Sequence, residues 1–312
     1  MTGPGRWTQA AEVGTNSALR FAGWVHRHFG RKPSLVLAVL SAVYFCLKNG
    51  AARRATARYV SRVGVSSDGP LASGRAPRGW WVLRIFIEFA ISIYDRIVVW
   101  GGAVDTFELD HDGSEKLFEL AKAGQGALLL GAHLGNLDMM GFIAADHDLP
   151  MNVVVYNENA ERINAFLESL DGPRVNLIQL RPGSVQAAFE IRACIERGEF
   201  VAVMADRTPP LAAAATARFN FLGHDAPFPL GPFRLARALG CTVCFVLCVR
   251  VSGTRYRTIL RTISGPATVA PGEQRKSAKE LLAAYVALLE QFCQRYPLQW
   301  FNFFDFWDET AS

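Results

Sequence analysis

Between Gly126 and Ala145 the chain reads GALLLGAHLGNLDMMGFIAA, and this stretch constrains the fold more than any other. The apolar run from Ala127 to Leu130 has the length of a buried parallel strand. Gly131 and Gly135 then punctuate it, and a helical pattern follows with Asn136 placed as its cap. His133 and Asp138 fall on either side of that strand-to-helix turn, four residues intervening. On one continuous helix, residues five apart diverge by roughly 140° and face different ways. With the histidine on the loop and the aspartate just inside the helix, the two side chains can meet. A carboxylate that orients an imidazole makes it a better general base, and free N–H groups at a helix start stabilise a developing oxyanion. The structural alternative is an ordinary histidine beside an aspartate that the helix dipole favours. The glycines and the strand-to-helix position favour chemistry.

The same alternation recurs through the rest of the chain. Strands are expected at residues 106–109, 127–130, 152–155, 175–178, 200–205, 242–251 and 256–261. Helices are expected at 114–123, 136–145, 160–170, 184–197, 229–239 and 277–295. Strands separated by helices at this spacing predict an α/β fold, a largely parallel central sheet flanked by helices. Residues 1–100 read differently, as an amphipathic and hydrophobic helical region that associates with membrane, ahead of one α/β unit over 101–312. A helix is expected at 16–29. The run SLVLAVLSAVYFCL, Ser34 to Leu47, is uniformly apolar but shorter than the roughly 20 residues that span a bilayer. A buried helix and a helix lying in the interface both fit it. GWWVLRIFIEFAISIYDRIVVW carries Arg84, Glu88, Asp95 and Arg96, too many charges for a span, with tryptophans at both ends that suit an interface or equally a helix packed on a sheet. Between these runs, Arg53, Arg54, Arg58 and Arg62 recur at helical spacing, either as a solvated face or as a docking surface for anionic headgroups or an acidic carrier. No secretory signal is apparent.

A net charge of +5 suits anionic lipid, an acidic carrier protein or nucleic acid equally. Six cysteines include the pair Cys241 and Cys244, but no second pair or nearby histidine completes a zinc set. They lie in the apolar run CTVCFVLCVRV and read as small buried hydrophobes. Asp110-His111-Asp112 and Asp146-His147-Asp148 read as solvated loops rather than metal ligands. No G-x-S-x-G, Walker A or G-x-G-x-x-G sequence is present.

A second block, VAVMADRTPP at 201–210, is an apolar strand that delivers Asp206 and Arg207 to its carboxyl end, where open α/β sheets gather ligands. The alternative is a turn carrying a surface ion pair. FNFLGHDAPFPLGPFRLARALG follows, in which Phe219 and Phe221 alternate as on a strand, as walls of an apolar groove or plain core.

GAHLGNLDMM resembles the His-x4-Asp/Glu block of the lysophospholipid acyltransferase superfamily, and most of all its bacterial lipid A (late) acyltransferase branch. His133 and Asp138 match that block, with Gly135 and Asn136 at its inner positions. Asp206 matches the family's acidic residue after a strand. Phe221, Gly223, Ala226 and Gly231 match its aromatic-glycine block, with Leu222 in place of a second aromatic. Trp7, Glu12 and Gly14 resemble its opening, and Pro297, Gln299 and Trp300 its ending, so the likeness covers nearly the whole chain. Where the family often has an arginine directly after a strand, this chain has Asn157 and reaches arginine only at Arg162. Asn cannot form a bidentate pair with phosphate, which fits an acceptor less anionic than a phosphorylated glycolipid.

The resemblance implies an acyltransferase. It moves a fatty acyl group from an acyl carrier protein or coenzyme A thioester to a hydroxyl or amine of a lipid or glycolipid. His133 is then the general base, Asp138 its orienting acid, and Gly135, Asn136, Arg162, Asp206, Arg207 and Gly223 line the substrate site. The arginine-rich helix favours the carrier protein as donor. No cofactor, metal or nucleic acid is implied, and the expected location is the cytoplasmic side of the inner membrane, held peripherally. A thioesterase using the same pair and an inactive lipid-binding scaffold are the competing readings.

Overall fold

The computed structural model of the protein describes residues 16–66, 78–137, 139–140, 149–156, 176–180, 185–207, 216–266 and 276–307. The strands are β1 (Glu108–Asp112), β2 (Ala127–Gly131), β3 (Met151–Tyr156), β4 (Asn176–Leu180), β5 (Phe200–Met204), β6 (Thr216–Phe221), β7 (His224–Pro229), β8 (Thr242–Ser252) and β9 (Arg255–Ser264). The described helices are α1 (Asn16–Phe29), α2 (Arg31–Lys48), α3 (Gly50–Ser66), α4 (Arg78–Trp100), α5 (Glu115–Lys122), α6 (Gln186–Glu196), α7 (Gly231–Leu239) and α8 (Ala278–Arg295). The expected helix over 160–170, most of that over 136–145, Asp138 and Arg162 lie outside the described residues.

Seven strands form the central sheet in the order β1-β9-β8-β2-β5-β3-β4. β8, β2, β5, β3 and β4 run parallel to one another, as the alternation of strand and helix requires. β9 returns antiparallel to β8, and β1 pairs parallel to β9 at the edge. The fold class is therefore α/β with a mostly parallel sheet. β2 and the first eight residues of β8 are apolar on both faces because both faces are covered, and every one of those residues is buried. Cys244 and Cys248 belong to this buried set, and Cys241, just before β8, is buried as well. Burial pushes the Cys244 thiol up to about 11, so it stays a neutral small hydrophobe.

Asp110, His111 and Asp112, read from the sequence as a solvated loop, instead form edge strand β1. Asp110 pairs with Arg255 and Arg257 of β9, and Asp112 with Arg261, so three cross-strand arginines hold the edge. Those guanidiniums hold the Asp110 carboxyl below the usual carboxylate range, mainly through the hydrogen bond from Arg255. Among the described residues no three His, Cys, Asp or Glu side chains gather as a metal set.

The chain divides into two compact units. Unit 1 holds Met1–Ala103, Arg218–Pro227 and Leu289–Ser312, and unit 2 holds Val104–Ala217 and Phe228–Leu288. In unit 1, α4 is the core helix: Val82, Ile85, Phe86, Ile97, Val98 and Val99 are buried, and α1, α2 and α3 all pack on it. α4 thus packs within unit 1 along much of its length, while Trp80 at its start is exposed. Its charges are accommodated locally. Asp95 is fully buried and receives Arg31 Nη1 at 2.7 Å, while Arg84 lies 3.6 Å from Glu88 one turn on. Tyr94 completes the group, its hydroxyl 2.7 Å from His26 Nδ1.

The C-terminal aromatics close unit 1. Trp300, Phe306 and Trp307 pack around Phe221, and Trp300 also meets Tyr59 of α3. Phe221 is thus core rather than an acyl-groove wall. Its strand, β6, pairs with β7 through a two-residue turn that the sequence reading lacks. Leu222 (φ 54°) and Gly223 (φ 78°) are both left-handed, the geometry of a type I′ hairpin turn. Leucine is strained there, and its N–H is satisfied by Glu290 Oε2 at 2.9 Å.

Candidate active site

β2 and β5 are neighbours in unit 2, in a register that pairs Ala127 with Phe200 and Gly131 with Met204. Both chains leave the sheet at its carboxyl edge. Ala205 N–H donates to the Gly131 carbonyl at 3.0 Å, which extends the pairing one step beyond the strands. The same carbonyl accepts the buried Tyr285 hydroxyl of α8 at 2.8 Å, which fixes where β2 ends. One residue further along each chain, His133 and Asp206 meet.

The Asp206 carboxylate grips the histidine at two points. Oδ1 lies 2.7 Å from His133 Nδ1, and Oδ2 accepts the His133 backbone N–H at 2.9 Å. Asp206 is fully buried, whereas a third of the His133 side chain is exposed. Burial by itself raises the Asp206 pKa; the imidazolium charge, its hydrogen bonds and the Arg207 guanidinium outweigh it and hold the carboxyl well below the usual range. Asp206 is therefore ionised, and an ionised carboxylate only accepts. Nδ1 must then be the donor, so in the neutral ring Nε2 is the basic nitrogen. Burial also brings the neighbouring Arg207 down to about 10, with Asp206 opposing the shift; Arg207 remains a cation at neutral pH. The reading of Asp206 and Arg207 as a turn with a surface pair does not hold, because the carboxylate is internal and engaged by His133.

The loop after His133 is pinned to β8. Gly135 bridges Cys248 in parallel fashion, and Asn136 N–H donates to the Cys248 carbonyl at 2.6 Å. Gly135 has φ 80°, and a Cβ there would stand 2.2 Å from the Cys248 carbonyl oxygen, so both the torsion and the space require glycine. Asn136 is buried, and its carbonyl accepts Met139 N–H at 3.1 Å as a helical turn begins. The sequence-expected helix start thus stands where the loop leaves β8.

Of the residues singled out from sequence, the structure brings His133, Gly135, Asn136, Asp206 and Arg207 together along the carboxyl edge of β2, β5 and β8. Gly223 sits in the β6–β7 turn of unit 1, where its positive φ accounts for the glycine. Asp138 and Arg162 lie outside the described residues. What sequence reasoning did not foresee is this contact: it named His133 and Asp206 without pairing them, and the partner it gave His133, Asp138, lies outside the described residues. Tyr285, buried in the middle of a helix, carried no sequence signal at all.

The family model of bacterial lipid A biosynthesis acyltransferases matches residues 89–308. That span contains His133, Asp138, Asp206 and Arg207. No curated protein matches the chain.

Proposed function

The chain belongs to the bacterial lipid A biosynthesis acyltransferase family, and from that premise we propose an acyl transfer in which His133 is the general base and Asp206 holds its ring. The observation that supports this most is the 2.7 Å contact between His133 Nδ1 and a buried, ionised carboxylate at the carboxyl edge of a parallel sheet. Nε2 takes the proton from an acceptor hydroxyl or amine as the acceptor oxygen or nitrogen attacks the thioester carbonyl. The buried Asp206 stabilises the imidazolium that results. The tetrahedral oxyanion is stabilised by a backbone N–H at the helix start or by a basic side chain. When the intermediate collapses, the C–S bond breaks and the thiol leaves with the proton His133 took. Asp138 keeps the acidic position of the family block, and comparison with Asp206 variants separates the two carboxylates.

The donor in this reading is an acyl thioester of acyl carrier protein or coenzyme A, and the acceptor is a lipid or glycolipid on the cytoplasmic face of the inner membrane. The carrier is favoured as donor by the basic helix α3, although three of its arginines also have internal work. Arg53 donates to the carbonyls of Cys46 and Leu47, Arg58 pairs with Asp305, and Arg62 stacks over the Trp307 ring at 4.0 Å. Arg54 is exposed.

The test supplies purified protein with acyl carrier protein and coenzyme A thioesters of several chain lengths, together with a lipid extract. Mass spectrometry then follows both acylated lipid and free fatty acid. New acylated lipid that disappears with His133→Ala is the expected result. Free acid released with no acylated lipid would make water the acceptor and the protein a thioesterase. Turnover of neither kind, from folded protein across the panel, would leave a lipid-binding scaffold.

A further inference from the structure

α2 has two unlike faces. Ser34, Ala42 and Cys46 are buried, and the helix packs on α1 and α4 of unit 1. Val36, Leu40, Tyr44 and Leu47 point away, and they are 59%, 60%, 56% and 70% exposed. At 100° per residue these four fall within an arc of about 80°, along a stripe roughly 16 Å long. Isolated exposed leucines need no explanation, but four large apolar side chains in one line do.

The charge around the stripe is of one sign. From Asn16 to Ser66 the sequence holds nine Lys and Arg and no Asp or Glu. Lys32 is one turn before Val36 and Lys48 one turn after Tyr44; both are exposed, so cations flank the stripe at each end. Arg27 is exposed on α1, beside exposed Trp24 and Phe29. An apolar stripe on a segment whose own charges are all cationic is complementary to a surface that is apolar within and anionic at its boundary. Among the described residues no single helix is long and apolar enough to cross a membrane. α2 and α3 pass only as a pair, and they bend by 98° at the break between them.

We propose that α2 lies in the plane of an anionic bilayer surface. Val36, Leu40, Tyr44 and Leu47 enter the boundary between headgroups and acyl chains, and Lys32, Lys48 and Arg27 meet the phosphates. This gives the peripheral attachment expected from the sequence one particular face. It extends that reading, and its test measures binding rather than turnover.

The experiment is flotation of the full chain with vesicles of phosphatidylethanolamine and phosphatidylglycerol, against vesicles of phosphatidylcholine alone. The wild type should float with the anionic vesicles. Leu40→Gln with Leu47→Gln should lower partition at least ten-fold, while Lys32→Gln with Lys48→Gln should lower it on anionic vesicles only. Both pairs should keep the wild-type melting temperature and acyl transfer to detergent-dispersed acceptor. An independent readout avoids reliance on loss of function. The six native cysteines are buried, so Leu40→Cys can be labelled selectively with a polarity-sensitive fluorophore, whose emission should shift to the blue on anionic vesicles. Wild-type protein that stays soluble, variants that bind as well as wild type, or unshifted emission would each overturn the proposal. So would a wild-type dimer that Leu40→Gln with Leu47→Gln converts to monomer without any vesicle binding, or a stripe that binds only acyl carrier protein. Loss of acyl transfer with vesicle binding intact would count against the catalytic reading alone.

Discussion

Asp206→Asn isolates the role of the buried carboxylate, since it keeps the volume and removes only the charge. In the wild type, both oxygens accept, one from the His133 ring and one from its backbone. An amide has one oxygen and one NH₂, so one of the two contacts must fail. If the amide oxygen stays on the backbone N–H, its NH₂ faces Nδ1, which must become an acceptor. The ring proton then moves to Nε2, the atom that should take the acceptor's proton. If the amide turns over, a backbone N–H faces an NH₂ group and the loop around His133 loses its anchor, at about 1–3 kcal/mol for an unsatisfied buried donor. Either way turnover should fall by roughly 10²–10⁴-fold, the range typical of general-base catalysis and of lost tautomer control. KM should change much less, because the loss falls on the transition state. The assay is single-turnover acyl transfer at saturating donor, paired with ¹⁵N NMR of the His133 ring to read the tautomer. Folded Asp206→Asn protein with near-wild-type turnover would refute the reasoning. A large loss with the proton still on Nδ1 would assign it to the turned amide and the lost loop anchor rather than to the tautomer.

Other outcomes follow from the same geometry. His133→Ala should lose at least as much turnover as Asp206→Asn, and the double variant should be little worse than His133→Ala, because the pair acts as one unit; a strictly additive double variant in the same single-turnover assay would separate the roles. Asp138→Asn should cost less than Asp206→Asn if Asp206 is the main orienting acid, and parallel kinetics of the two variants decide this. Because the folded pKa of Asp206 is depressed, its stabilisation is fully present above the unfolded carboxyl value near 4 and drains as pH falls below it. The wild-type melting temperature should therefore fall more steeply than that of Asp206→Asn between pH 5 and about pH 2.5. Gly135→Ala should destabilise the fold by at least about 1–3 kcal/mol from its torsion alone, more with the clash on Cys248, as read by denaturant unfolding. Tyr285→Phe removes one hydrogen bond to Gly131 while Ala205 keeps the other, so its cost should be about 1 kcal/mol in the same experiment.

The regular elements were legible because their patterns are local. All seven expected strands are present in the sheet within a few residues, and α1 has the bounds the sequence predicts. Each was marked by an apolar run of strand length or by helical spacing with a glycine or proline stop. What local pattern does not carry is which side of an element meets solvent. Ser34 to Leu47 and Trp80 to Trp100 look equally apolar, yet α4 is internal and α2 presents a stripe outward. That difference arises from packing: the contacts of α1, α2 and α3 converge on α4, and nothing in either helix alone records it. The β6–β7 hairpin escaped for a related reason. Its turn carries a leucine where a type I′ turn favours Asn or Asp before the glycine, and Glu290, far away in sequence, makes the substitution tolerable.

The contact between His133 and Asp206 shows the same limit more sharply. Both partners were visible: each follows an apolar strand, and each stands at a carboxyl end where α/β sheets bind ligands. Their meeting depends on the register of β2 against β5, and a one-residue slip would turn every side chain to the other face. With Gly131 opposite Met204, two residues on from each strand end brings His133 level with Asp206. Sequence spacing favoured Asp138 because it is five residues from His133, whereas Asp206 is 73 residues away. Proximity along the chain was the signal for Asp138, and the contact with Asp206 depends on register between distant strands. One relation makes the contact with Asp206 foreseeable: two apolar strands of equal length, each releasing an ionisable side chain after two further residues, become candidates for one site once they are neighbours. That neighbour relation also makes the site rigid. Asp206 binds the histidine backbone as well as its ring, Tyr285 and Ala205 fix the Gly131 carbonyl, and Cys248 fixes the loop at Gly135 and Asn136. An imidazole anchored on both sides in this way has little freedom to reorganise as charge develops, which is the condition under which a buried carboxylate contributes most to catalysis.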